Sequence, residues 1–180
     1  MTKNEMSEKV RNPVGPEDFR RGMRHVPTVV TVVTFDAPSG PIGLTIGSFV
    51  SLSLDPPLVC FNVQKESSVH DFITKAENFL VHVLGEDQAS ISDQFAVTEL
   101  SSRAALDPEM MEVGPFGILT LRSYLVRFEC RTTQVYDGGD HSIILGCVEK
   151  IEEGDAGRPI VYHQRAYHAI GTHVADRNLP

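Results

Sequence analysis

The sequence predicts a mainly β protein, an antiparallel barrel that is closed or partly closed and carries a few short helices. Three observations predict it: about six short runs rich in β-branched or alternating residues, turn chemistry that links them in hairpin order, and only three brief segments that read as helix. A chain of 180 residues, 41% hydrophobic and 22% charged, suits one globular domain. No internal repeat, low-complexity tract or linker divides it.

The elements follow in order. Residues 1–15 are polar and read as a flexible arm, with the domain expected over 16–175. Pro16 at a first helical turn, with Glu17 and Asp18 at the positive end of the helix dipole, predicts a helix over 16–25 that ends before Pro27. TVVTVVTF (28–35) is almost wholly β-branched and predicts a strand. DAPSGP (36–41) is turn chemistry, so 42–49 should return as its hairpin partner. LDPP (54–57) should break the sheet before LVCFNVQ (58–64) resumes it. Ser67 or Ser68 can cap a helix through SVHDFITKA, because a serine oxygen accepts from the open amides of a first turn. FLVHVL (79–84) is the next strand, and Asp87 can cap a helix running to about Ala96. The stretch 98–115 lacks periodicity and reads as an irregular surface loop. Over 121–133, Tyr124, Val126, Phe128 and Cys130 alternate with Arg127, Glu129 and Arg131, as a half-buried strand requires. DGGD (137–140) turns the chain into a strand from His141 to Ile151. EGDAGRP (153–159) turns it again into IVYHQRAYHAI.

Composition narrows the function classes. A net charge of −8, from 16 basic and 24 acidic residues, offers no basic face for a polyanion. There is no apolar run of the ~18 residues a spanning helix needs, and the N-terminus lacks a signal-peptide core. The cytoplasm is the expected location. Cys60, Cys130 and Cys147 lie far apart without a CxxC pair and read as unpaired thiols packed as small hydrophobes. No GxGxxG, GxxxxGK[ST], HExxH or GxSxG occurs. His163 and His168, five apart with no carboxylate or thiolate pattern, read as rim residues rather than metal ligands.

The informative stretch is GLTIGSFVSLSLDPPLVCFNVQKESSVHDFI (43–73). Gly43 and Gly47 leave room for close approach of a ligand to the backbone. Thr45, Ser48, Ser67 and Ser68 are donors suited to phosphate oxygens or the polar edge of a flat ring, and Lys65 adds a point charge. These hydroxyls could equally cap strands and the following helix, and residue types alone do not decide.

That stretch resembles the flavin segment of the flavin-reductase-like family, short-chain reductase partners of two-component monooxygenases with the FMN-binding split-barrel fold. FRRGMRHVPTVVTVVT (19–34) resembles the family's entry helix and first strand, and GLTIGSFVSLSLDPPLV (43–59) its flavin segment. VHDFI (69–73) resembles the helix after the phosphate loop, and DQFA (93–96) the end of the next helix. GDHSIILGCVEKIEEGDAGRPIVYHQRAYH (139–168) resembles the C-terminal strands and the pocket rim. The likeness runs from about Phe19 to His168.

The resemblance implies a Greek-key-like split barrel, dimeric, with each flavin near the subunit interface. It implies that Thr45, the backbone of Ile46 and Gly47, and Ser48 contact FMN or FAD, and that Lys65, Ser67 and Ser68 take its phosphate. His141 falls where the family places NADH or NADPH, with Tyr162, His163 and Tyr167 nearby. Ser51 and Cys60 complete the candidate cofactor contacts, Cys60 reading also as a packed thiol. Val29 and Ile46 stand where the family often has glycine and alanine, and Glu66 adds a negative charge beside the phosphate contacts.

Flavin and nicotinamide carry the hydride chemistry themselves, so such a protein needs no nucleophile–base pair. The leading expectation is an NAD(P)H-dependent flavin reductase, with His141 its catalytic residue, that hands reduced flavin to a monooxygenase partner. Two alternatives share the fold: a flavoprotein holding its flavin tightly and acting on a dedicated small molecule, and a non-catalytic flavin or haem carrier. NADH turnover with added flavin, colour surviving gel filtration and a Soret band respectively mark the three.

Overall fold

The computed structural model describes residues 13–38, 40–96, 108–172 and 174. Most of the expected arm, the first part of the expected 98–115 loop and the end of the chain lie outside them. Helix α1 (Pro16–Met23) opens on Pro16, with Glu17 and Asp18 in its first turn, and buries none of its residues. The β-branched run gives two strands rather than one, β1 (Thr28–Val29) and β2 (Thr31–Ala37). The break falls at Val30, whose carbonyl accepts from the Leu84 N–H while β1 turns away to a different sheet.

Strand β3 (Gly40–Ile46) ends sooner than expected, and Gly47–Phe49 links it to β4 (Val50–Leu54). The LDPP segment does not end the sheet: it is a tight hairpin turn, cis at Asp55–Pro56, joining β4 to β5 (Pro57–Gln64). Helix α2 is a single turn (His70–Ile73) that starts from Val69 without a side-chain cap. The predicted serine cap is therefore replaced by main chain, the His70 N–H bonding the Ser67 carbonyl at 3.0 Å. After β6 (Asn78–Val83), α3 (Ala89–Phe95) starts from Gln88 rather than being capped by Asp87. The Gln88 amide fixes this entry, accepting from Gly85 N at 2.8 Å and donating to the Ser123 carbonyl at 2.9 Å.

Beyond two short 3-10 turns, the expected loop holds β7 (Met111–Val113), which pairs with β8 (Leu119–Leu121). Then come β9 (Val126–Gly138), β10 (His141–Glu153), β11 (Ile160–His163) and β12 (Ala166–Ala169). The alternation along β9 needs correction. Arg127 and Glu129, expected at the solvent face, are only 5% and 6% exposed, while Arg131 is exposed as predicted. Strand β9 is central, between β6 and β10, and both its faces are covered there. Arg127 is accommodated by Glu152 at 2.9 Å and Glu129 at 3.4 Å, and lies over the Tyr124 ring at 5.1 Å.

Seven antiparallel strands run in the order β3-β2-β6-β9-β10-β5-β4, and β1-β11-β12 form a second sheet. Val33, Leu44, Phe61, Phe79, Cys130 and Ile144, one from each of six of the seven strands, share a single buried cluster. The large sheet therefore curls around its own core. Its edges do not zip together: among the described residues no ladder joins β3 to β4 or β5, although β3 and β5 approach each other. The result is an antiparallel split barrel with a seam, and the seam positions the site. Among the described residues no helix is long and apolar enough to cross a membrane. All three cysteines are unpaired; Cys130 is fully buried, and burial pushes its thiol up to about 12.

Candidate functional site

Along β5, Val59, Phe61 and Val63 point into the core, which turns Asn62 and Gln64 outward at the seam. Together with Leu44–Ile46 of β3, the Gly47–Ser48 linker, Ser67 and His141 they line a cavity of about 340 Å³. A second cavity, about 470 Å³, is lined by Thr28, Val29, Ser92, Asp93, Tyr162 and Tyr167, among others. Both share Thr45, Ile46, Gly47 and Ala96 as a common wall. The end of β3 thus divides one cleft into two lobes.

The predicted hydroxyls are not equivalent. Ser48 Oγ accepts from the Asn62 N–H at 2.9 Å, which leaves its own proton to donate into the first lobe. Thr45 Oγ1 donates to the Ser92 carbonyl at 2.6 Å, so its proton is already committed to tying β3 to α3. Ser67 lines the first lobe; Ser68 does not line it. Lys65 bonds Asp137 instead, and its backbone N–H bonds the Asp140 carbonyl at 2.9 Å. Ser51 lies exposed on β4 and Cys60 faces outward on β5, and neither lines a lobe of the cleft.

His141 does line the first lobe, half-exposed, with Nδ1 2.7 Å from the Asp140 carboxylate. That contact holds the Asp140 carboxyl below the usual range. Tyr162 and Tyr167 are not beside His141 but line the second lobe, their rings packed edge to face at 5.5 Å. The Tyr167 hydroxyl donates to Asp93 at 2.8 Å and lies 2.9 Å from Ser92 Oγ, and burial pushes its phenol up. His163 lies in a neighbouring hollow, and His168 Nε2 is 3.2 Å from the His163 carbonyl. Among the described residues no group of His, Cys, Asp and Glu could hold a metal.

The three departures from the family pattern also find places. Ile46 belongs to the buried core cluster and also lines both lobes. Val29 lines the second lobe, and Glu66 is exposed and lines neither. Gly43 serves packing rather than a ligand, since a Cβ there would sit 2.3 Å from the Phe95 ring. Asn62 and Gln64 were not singled out from sequence, although the alternation along β5 offered them.

A flavin fits this chemistry. Gly47 and Ser48 lie outside the ladder, and among the described residues no backbone acceptor takes their N–H groups. Those amides and the Ser48 hydroxyl are donors placed where side-chain bulk is least, as the polar edge of a flat ring needs.

Residues 23–171 match the model of the flavin reductase like domain. An FMN reductase (NADH) from Agrobacterium fabrum is 40% identical, the alignment covering 83% of each chain. The reductase component of 4-hydroxyphenylacetate 3-monooxygenase from Thermus thermophilus is 33% identical over 86% of this chain and 96% of its own. Among solved structures, the Streptomyces globisporus NADH:FAD oxidoreductase in complex with NAD and FAD fragments superposes with a TM-score of 0.78, at 31% identity, covering 89% of this chain and 98% of that one. With a two-lobed cleft in the seam of a split barrel and a family model spanning most of its length, this chain belongs to the flavin-reductase-like family.

Proposed function

We propose that the protein is a cytoplasmic, homodimeric NADH-dependent flavin reductase that transfers hydride to FMN or FAD and supplies the reduced flavin to a partner monooxygenase. The observation that carries this reading is the wall shared by the two lobes, where two ring systems can meet. The names of the relatives support it, pairing NADH with FMN or assigning the protein to a monooxygenase. When bound, nicotinamide supplies the hydride and flavin accepts it; the protein's share is to bind, orient and exclude water.

In this reading Ser48 and the Gly47–Ser48 amides hold the flavin ring edge and chain, and Ser67 lies toward the phosphate. Lys65 reaches that phosphate only by leaving Asp137, an exposed pair that gives it up easily. His141 positions the nicotinamide from the rim of the first lobe, its ring steadied by Asp140. The dimer is supported by β4, an edge strand exposing Val50, Leu52 and Leu54, the last of them 94% exposed.

Anaerobic mixing of the purified protein with NADH and either flavin tests the activity. Bleaching of the flavin band at a rate proportional to protein is expected, and no protein-dependent bleaching with either flavin would remove the proposal. NADPH in the same assay settles the choice of donor.

A further inference from the structure

The single turn of α2 is pinned by Val69 and Ile73, both fully buried in the large core cluster. Between them His70 reaches β10, with its Nε2 2.9 Å from Ser142 Oγ and its Nδ1 3.1 Å from the Asp71 carboxylate. A carboxylate beside Nδ1 keeps the proton there, so in the neutral ring Nε2 accepts from the Ser142 hydroxyl. Ser142 is only 6% exposed and lines neither lobe of the cleft, so this Asp–His–Ser row holds position rather than attacking a substrate. We infer that the His70–Ser142 bond couples the two ligand positions, transmitting occupation of the flavin-phosphate loop to His141 on the nicotinamide side. The identity of the ligands rests on the reductase reading; the linkage rests on the contacts.

His141 is held through both of its neighbours in the chain. On one side, the Asp140 carbonyl accepts the Lys65 N–H at 2.9 Å, and the Asp140 carboxylate lies 2.7 Å from His141 Nδ1. On the other side, Ser142 is bonded to His70. The segment 65–70 is thus tied at each end to a residue that flanks His141. Its own turns stiffen it, the Ser67 N–H bonding the Gln64 carbonyl and the His70 N–H the Ser67 carbonyl, both at 3.0 Å.

Coupling between two sites needs an element with two arrangements that both ligands bias. Lys65 supplies it. Its ammonium bonds Asp137 on β9 and reaches a phosphate only by leaving that partner. The side chain that moves belongs to a backbone bonded to Asp140, while His70 anchors the far end of the loop to Ser142. The change therefore arrives at His141 instead of being absorbed in the loop. Without the His70–Ser142 bond the far end can yield, and the loop takes the phosphate while β10 stays where it is.

Calorimetric titration of NAD+, which binds without turnover, tests this. NAD+ is expected to bind the wild-type protein about ten-fold tighter with FMN present than with riboflavin, which lacks only the phosphate. By linkage, NAD+ should raise the preference for FMN over riboflavin by the same factor. Ser142→Ala and His70→Phe remove the bond from opposite sides, and each should bring the ratio close to one, with a melting curve showing that the variant is folded. Ser142→Thr keeps the hydroxyl and should restore the ratio. A ratio as large in Ser142→Ala as in wild type, even with both affinities lowered, marks a bond that only holds the fold and overturns the inference, leaving the reductase reading standing. A ratio of one in the wild type does the same. Failure of the wild type to bind FMN removes the reductase reading and this inference together.

Discussion

His82 is fully buried, its Nδ1 3.0 Å from the Val32 carbonyl and its Nε2 2.6 Å from Thr120 Oγ1. The first contact requires a proton on Nδ1 and the second is met by the threonine hydroxyl donating, so the ring is neutral. Burial, with the Arg127 charge adding to it, lowers its pKa to about 4. The unfolded chain would titrate near 6.5 and so binds more protons than the folded one between those values. Stability contributed by the neutral ring is complete above about pH 6.5 and is lost as pH falls toward 4, by up to about 3 kcal/mol. Urea unfolding at intervals across that window should show the decline, and His82→Gln should flatten it; an unchanged slope in the variant would assign the decline elsewhere. At the cleft, Ser48→Ala should weaken FMN about ten-fold, and Lys65→Ala less, because Lys65 is already bonded to Asp137. Flavin fluorescence titration measures both, and equal losses would show that Lys65 has left Asp137 for the phosphate. His141→Ala should raise KM for NADH about ten-fold with FMN affinity unchanged, by stopped-flow reduction and titration together; the reverse pattern would make it a flavin ligand. The hydroxyl cluster was legible because four small or hydroxylated residues, Gly43, Thr45, Gly47 and Ser48, crowd into 43–48. The commitment of Thr45 to Ser92 was not, because the partner lies 47 residues away and is a backbone oxygen.

At the scale of elements, the strands visible in sequence were those whose pattern is local. The β-branched run and the Asp137–Asp140 turn each predicted their strands, though Val30 divides the first because two sheets compete for it. Strand β4 carried a clear signal, VSLSL, hidden by reading the preceding strand three residues too far. Three-residue β7 and β8 offer no period to read. The buried face of β9 could not be foreseen, because Arg127 is burial-compatible only once Glu152 and Glu129 are beside it. The junction of α3 with β3 makes the sharpest prediction here. Gly43→Ala would push a methyl against the Phe95 ring, and overpacking of that kind costs about 1–3 kcal/mol. Since Phe95 and Ala96 line the first lobe, weaker FMN binding should accompany the lower melting temperature. A loss of stability with FMN affinity intact would show that α3 shifts away from the cleft without disturbing it.

For the whole molecule, the apolar edge of β4 makes the assembly testable. Light scattering should give the mass of a dimer, and Leu54→Lys, at a side chain 94% exposed in the single chain, should shift it toward the monomer without lowering the secondary-structure signal. A dimer mass untouched by that change would move the interface elsewhere. The barrel and its class were legible because hairpin order is a sequence property, whereas the seam is a failure of two distant edges to pair and leaves no local trace.

That seam has a consequence for the life of the protein in the cell. Backbone bonds secure every neighbouring pair in the seven-stranded order, but among the described residues none joins its two ends, β3 and β4, to each other. A ligand lying in the first lobe, between Thr45 and Ser48 at the end of β3 and Asn62 on β5, would do mechanically what a missing ladder would have done. A ligand at a hundred times its Kd stabilises its host by about 2.7 kcal/mol, and here the gain should be local. Amide hydrogen exchange should slow along Gly40–Ile46 and Pro57–Gln64 on adding FMN, while β6 and β9 are little changed. Proteases, which attack the opened form, would then clear the protein fastest when flavin is scarce, so that its abundance follows vitamin supply without any dedicated regulator.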